Sequence, residues 1–230
     1  MEKLYEDGVV VLEKYLPEDK YISLRKDVSK FLKANVFGKD IKPAGKDVSF
    51  NVLRKLGKLY INKRIPKRDG DDGLIDVWNI DQALTADSKN IIKDIATEIE
   101  LKLSESFKVK YQYKTCNLYV NKGITKTRGI HADTGKFPAR TKAFLYFTDI
   151  NDIFDGPFSY ILGSHFKEGK KYHHKYDIFK PLNKEEESKY KIFDSVKQND
   201  LVIGCVSGAH RGMPQKKDRE RIVLVLSFDP

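Results

Sequence analysis

Arg221-Ile-Val-Leu-Val-Leu-Ser-Phe228 is an apolar run of strand length that opens on a permanent charge. Its β-branched residues favour extended backbone. A guanidinium at the mouth of such a run needs an anionic partner, because burying it unpaired is costly. Earlier runs of the same kind cover residues 110–120, 129–133, 141–147, 158–162 and 201–206, with turn residues between them. After residue 108 no helical pattern is long enough to cross between parallel strands. The spacing therefore predicts a mainly β chain, an antiparallel sandwich or barrel with flanking α-helices.

Before residue 108 the pattern is different. Gly8-Val-Val-Val-Leu12 reads as a short strand after an Asp-Gly turn, and Leu16-Pro17-Glu18 opens a helix with Leu24, Val28, Phe31 and Leu32 on one face. Residues 34–74, rich in Lys, Gly and Asp, read as turns and loop. Thr85 to Ser88 forms a polar cap before Ile91, Ile92, Ile95, Ile99, Leu101 and Leu103, a second helix ending before Lys108. At 230 residues the chain fits one domain. Residues 1–107 would supply an N-terminal strand and flanking helices, and 108–230 most of the β core.

The net charge of +10 comes from basic residues interspersed with acidic ones, as in 184–191, and reads mostly as a solvated surface. It favours acidic small molecules as partners more than specific nucleic-acid binding. Cys116 and Cys205 sit in apolar runs and read as buried free thiols. The N-terminus lacks a secretory pattern, and no apolar run reaches membrane-spanning length, so a soluble, intracellular (cytoplasmic) protein is expected.

Of the five His residues, His131 stands two positions before Asp133 in Gly129-Ile-His-Ala-Asp-Thr-Gly135. Side chains at i and i+2 of a strand share a face, so one segment can offer an imidazole and a carboxylate to one metal ion. By itself a His-x-Asp triplet is commonly structural. His210, at the end of the apolar run from Leu201, supplies a second imidazole from a distant strand. Two His and one carboxylate on one side of an octahedral ion leave three positions free, which suits non-haem Fe(II) and oxygen chemistry. The guanidinium of Arg221 matches a carboxylate with two parallel hydrogen bonds.

Together, His131-x-Asp133, His210, and Arg221 eleven positions after it resemble the Fe(II)/2-oxoglutarate-dependent oxygenases, most closely the phytanoyl-CoA dioxygenase-like group. The segments 7–18, Asp155-Gly-Pro-Phe-Ser-Tyr-Ile-Leu-Gly-Ser-His165 and His210-Arg-Gly-Met-Pro214 are similar to that group's opening strand and helix, its Asn-Gly to Gly-Ser-His stretch and its distal ligand region. The resemblance is good over 115–228 and weak over about 34–110. It implies a double-stranded β-helix, a cupin-like jelly roll. It also implies Fe(II), 2-oxoglutarate and O2 as cofactor and cosubstrates, with His131, Asp133 and His210 as the catalytic iron ligands and Arg221 as the clamp for the distal carboxylate of 2-oxoglutarate. Asn117 and Tyr119, two apart on a predicted strand, are candidate cavity residues, although Tyr119 serves equally well as core; Thr141 is a candidate cosubstrate contact.

The carboxylate of Asp133 stands where related halogenating enzymes carry a small residue, so the resemblance implies hydroxylation of a C–H bond. Two positions depart from the group's habit: Ala132 replaces a larger polar residue, and Asp155 replaces Asn. The expected substrate is a small or carrier-linked metabolite, anionic ones included, with its determinants in 34–74, the loop after Gly135, and 166–195. The competing readings are a non-catalytic β-helix protein that binds a ligand, and an oxygenase acting on protein or nucleic acid, which only the +10 charge favours. Arg219 precedes the strand and reads as solvent-facing; His165 reads as a turn residue, His173-His174 as loop or surface, and Trp78 as core or cavity wall.

Overall fold

The computed structural model describes residues 1–43, 52–53, 57–65, 71–134, 137–138, 140–166 and 182–230, and these hold four α-helices and ten strands. In order these are α1 (Glu2–Asp7), β1 (Val9–Leu12), α2 (Glu18–Asn35), β2 (Tyr60–Lys63), β3 (Ile75–Trp78), a 3-10 turn (Ile80–Ala83) and α3 (Ala86–Phe107). There follow β4 (Gln112–Lys122), β5 (Thr141–Tyr146), β6 (Phe158–Ile161), α4 (Lys184–Lys189), β7 (Tyr190–Ile192), β8 (Leu201–Cys205), β9 (His210–Gly212) and β10 (Glu220–Asp229). One sheet has the order β1-β8-β5-β10-β4-β3-β2 and the other β7-β6-β9, with antiparallel pairing in both. This is a jelly-roll sandwich.

Alternation along the central strands creates two cores. On β10, Ile222, Leu224, Leu226 and Phe228 join Cys116, Leu118 and Val120 of β4 and Ala143 and Leu145 of β5 in a core shared with the helices. Val223 and Val225 of β10 and Tyr146 of β5 turn the other way, against Phe158 and Tyr160 of the small sheet. Both faces of β10 are covered, which is why its sequence is continuously apolar rather than alternating.

The two long helices follow their spacing. Pro17 precedes α2, Glu18 and Asp19 occupy its first turn, and Tyr21, Leu24, Val28, Phe31 and Leu32 are buried. Thr85 caps α3 by accepting from Ser88 N, and the Asp27 carboxylate of α2 accepts from Thr85 N and Oγ1 at 2.7 and 2.8 Å, tying the helices together. Leu101, expected on the apolar face, is 61% exposed. It lies two positions from both Ile99 and Leu103, and two helical steps carry a side chain to the far side.

Three further expectations need correction. The region 34–74 is not all loop: β2 pairs with β3, which pairs with β4 and extends the large sheet. Residues 129–133 are bridged at His131, opposite His210, and at Ala132 rather than forming a full strand. Short helices α1 and α4, and strands β7 and β9, add to the predicted elements. Cys116 and Cys205 are buried and free, as expected, and Trp78 is core. No helix among the described residues is long and apolar enough to cross a membrane.

Leu224 has no exposed surface and sits mid-strand on β10. Leu224→Ala should cost about 3–5 kcal/mol in chemical denaturation, the range for truncating a core leucine; a loss below about 1 kcal/mol would contradict a central position for this strand.

Candidate metal centre

His131 and His210 are brought side by side by reciprocal backbone hydrogen bonds, His131 N to His210 O at 3.0 Å and His210 N to His131 O at 2.9 Å. Their ring centroids lie 4.6 Å apart. Each Nδ1 faces the carbonyl two residues earlier, Gly129 O at 2.8 Å and Gly208 O at 2.9 Å. A carbonyl only accepts, so each ring carries its proton on Nδ1 and presents the Nε2 lone pair inward. Gly208 has to be glycine, since a Cβ there would collide with the Tyr160 hydroxyl, which itself donates to Cys205 O at 2.8 Å.

The carboxylate joins from the same segment. Asp133 N donates to Val206 O at 2.8 Å, and its Oδ1 stands 3.5 Å from His131 Nε2. One ligand atom from each of His131, Asp133 and His210 falls within 4.8 Å of the others. Burial pushes the imidazole of His131 down, helped by the Arg128 charge. Burial, with His131 beside it, pushes His210 down to about 3. For Asp133 burial acts upward, but the adjacent Lys142 ammonium outweighs it and holds the carboxyl well below the usual range. Two neutral imidazoles and an ionised carboxylate are the protonation states metal ligation requires. Two nitrogens and one oxygen on one side, with space opposite, fit an octahedral ion that keeps open positions.

Arg221 lines the same cavity as His131 and His210. It is 9% exposed, burial pushes its pKa down, and it forms no carboxylate ion pair among the described residues. Its Nη1 donates to Gly156 O, while its Nε is buried without a hydrogen-bond partner. Gly212 makes room for it: a Cβ there would lie 3.2 Å from Nη2. The Asp155-Gly turn and the His210-Arg-Gly stretch thus both serve to seat this guanidinium. Directly opposite in register, Asn121 of β4 presents a buried Oδ1 with no partner.

The remaining sequence candidates divide by strand parity. Tyr119 lines the cavity with the Arg64 guanidinium over its ring at 5.0 Å. Asn117 shares its side of β4, but its Oδ1 accepts from Asn79 N at 3.3 Å. Thr141 does not reach the cavity; its Oγ1 lies 3.6 Å from Cys205 Sγ on the helix side of β5. The next residue, Lys142, is the one that faces inward, together with Phe144 and Tyr146. Arg219 is partly exposed and pairs with Asp155 Oδ1 at 3.3 Å. His165 lies in a turn, as read from the sequence, and is buried there, donating from Nε2 to Tyr5 O at 2.8 Å. His173 and His174 lie outside the described residues.

Charged cavity residues that the sequence reading passed over are Arg64, Asp71, Arg128 and Lys142. Arg64 bridges Asp71 and the fully buried Asp76, both at 2.9 Å, and Asp71 Oδ1 also accepts from Arg128 N at 3.0 Å. Lys142 Nζ donates to Asp133 Oδ2 at 2.7 Å. An ionic residue inside an apolar run, the oddity that singles out Arg221, equally marks Lys142.

Neither a protein-family model nor a curated protein sequence matches the chain. Solved structures do. A non-haem α-ketoglutarate-dependent carbocyclase, SnoK from nogalamycin biosynthesis, matches with a TM-score of 0.64 at 16% identity over 99% of this chain and 81% of its own. AviO1 from Streptomyces viridochromogenes Tue57 matches with a TM-score of 0.64 at 13% identity, covering 100% and 92%. HygX from Streptomyces hygroscopicus, solved with nickel, 2-oxoglutarate and hygromycin B, matches with a TM-score of 0.61 at 12% identity, covering 100% and 86%. At these identities the likeness establishes the shared fold.

A neutral buried His210 fixes how stability responds to acid. Its folded pKa of about 3 lies below the ordinary value near 6.5, so the unfolded chain takes up the proton first as pH falls. The penalty is absent above about pH 6.5 and grows toward about pH 3, on the order of a few kcal/mol. His131 shifts in the same direction, and Asp133 adds a loss of the same sign below about pH 4. Denaturation of metal-free protein should therefore show stability declining from pH 7 to pH 4; a flat profile would mean the histidines are not held neutral.

Proposed function

We propose that the chain is an Fe(II)- and 2-oxoglutarate-dependent dioxygenase that hydroxylates a C–H bond of a small or carrier-linked metabolite, anionic ones included. The observation that carries this reading is the cluster of buried His131 and His210 with partly buried Asp133, set beside a cavity that both histidines share with the buried Arg221, which pairs with no carboxylate among the described residues. His131 and His210 would hold the ion through Nε2 and Asp133 through a carboxylate oxygen. When bound, iron with 2-oxoglutarate and dioxygen supplies the oxidising power, with succinate and carbon dioxide as coproducts.

The chain's own residues supply placement. Arg221, already anchored on Gly156 O, would take the distal carboxylate of the cosubstrate in a bidentate grip, and Asn121 stands across from it. Phe144, Tyr146, Phe158 and Val223 line the cavity with apolar surface, which excludes water and strengthens each electrostatic contact within. The Asp133 carboxylate favours hydroxylation, because it occupies the position an incoming halide would need. Neighbours whose names carry nogalamycin and hygromycin B support a small-molecule substrate. The motif segments point nearest to the phytanoyl-CoA dioxygenase-like group. Free buried thiols at Cys116 and Cys205 fit a reducing, intracellular compartment, and a single oxygenase domain spanning 1–230 goes with this reading.

Purified protein supplied with Fe(II) and 2-oxoglutarate should release succinate slowly even without its substrate. Asp133→Ala should abolish that release while preserving the fold by circular dichroism. Arg221→Gln should raise the 2-oxoglutarate requirement roughly 10- to 100-fold, the worth of a lost charged hydrogen bond. Succinate release that survives Asp133→Ala would sink the metal assignment, and an unchanged cosubstrate requirement in Arg221→Gln would sink the clamp.

A further inference from the structure

The two oxygens of Asp133 face different neighbours. Oδ1 stands 3.5 Å from His131 Nε2, on the side where the three donor residues converge. Oδ2 accepts from Lys142 Nζ at 2.7 Å. Lys142 follows Thr141 on β5, and alternation sends its side chain to the inner face with Phe144 and Tyr146. The side chain is 15% exposed and its carboxylate partner 17%, so this pair is held by packing rather than floating in solvent. Arg128 Nη1 approaches Oδ1 only to 3.7 Å, beyond hydrogen-bonding reach.

We infer that Lys142 is a positioning residue that makes Asp133 a one-oxygen ligand. The inference rests on the metal reading proposed above and adds a role that neither the His-x-Asp motif nor the Arg221 clamp specifies. A carboxylate that chelates takes two of six octahedral positions; with two imidazoles it leaves only two, enough for a chelating 2-oxo acid and none for dioxygen. A carboxylate whose outer oxygen is bound to an ammonium leaves three. The ammonium also places a positive charge within a few ångströms of the ion, so the site binds metal less tightly than the same ligands would without it.

This sign separates the proposed role from a structural one. Co(II) titrated into the full-length protein, followed by calorimetry and visible absorption, should bind Lys142→Met about tenfold more tightly than the wild type, because a repulsive charge has been removed while the apolar stem is kept. The cobalt spectrum should change as the second oxygen enters coordination. Lys142→Arg should behave like the wild type in both. Should Lys142→Met fail to fold by circular dichroism, Lys142→Leu, which likewise has no donor for the outer oxygen, carries the same expectations. Equal or weaker cobalt binding with an unchanged spectrum, or an Lys142→Arg protein that behaves like Lys142→Met, would overturn the inference while leaving the metal site standing. Absence of cobalt binding by the wild type itself would overturn the metal reading, and this inference with it.

Discussion

Two backbone hydrogen bonds between His131 and His210, at 3.0 and 2.9 Å, join a segment that leaves the large sheet to strand β9 of the small one. The convergence of donor atoms follows from this join. It sets two imidazoles side by side, and the carbonyls of Gly129 and Gly208 then turn both lone pairs inward. Asp133, tied by its N–H to Val206 O, adds a carboxylate to the same spot. Two imidazole lone pairs and a carboxylate oxygen thus converge in one place, with the Lys142 ammonium balancing charge at the outer oxygen, a donor set suited to a cation.

Strand β10 links that centre to the rest of the fold. One face of it is the core against the helices; the other carries Val223 and Val225 into the sandwich and ends at Arg221. The helix-side core and the cavity lining are therefore written on alternate residues of one strand. The guanidinium is not left to find its own position: Gly156 O accepts from it, and the missing side chain of Gly212 gives it room. Arg64, Asp71, Asp76 and Arg128 form a second charged layer that connects the β2–β3 hairpin to the mouth of the site. Buried ion pairs of this kind add little net stability but fix geometry at a cost if any member is removed.

Legibility in the sequence tracks how local the determining physics is. Helices α2 and α3 and strands β4, β5, β8 and β10 were readable because apolar spacing reports burial directly. The juxtaposition of His131, Asp133 and His210 is legible as a candidate ligand set because they stand at or beside the ends of apolar runs. By contrast, β2 and β3 are four residues each and lie beside Lys- and Asp-rich sequence, and they are fixed by pairing, β3 with β4 and β2 with β3, rather than by their own pattern. Arg64 looks like loop polarity until folding sets it 2.9 Å from Asp76. Thr141 and Lys142 show the limit in another form. Which of two adjacent strand residues faces inward depends on register, and a shift of one residue exchanges a core threonine for a cavity lysine.

The claim that this cavity holds a metal and anchors a dicarboxylate is tested most directly by diffraction from crystals grown with Mn(II) and 2-oxoglutarate, using the anomalous signal of manganese. The account predicts one peak within bonding distance of His131 Nε2, His210 Nε2 and one Asp133 oxygen, with the distal carboxylate of 2-oxoglutarate on Arg221. A peak elsewhere, or 2-oxoglutarate bound away from Arg221, would contradict it.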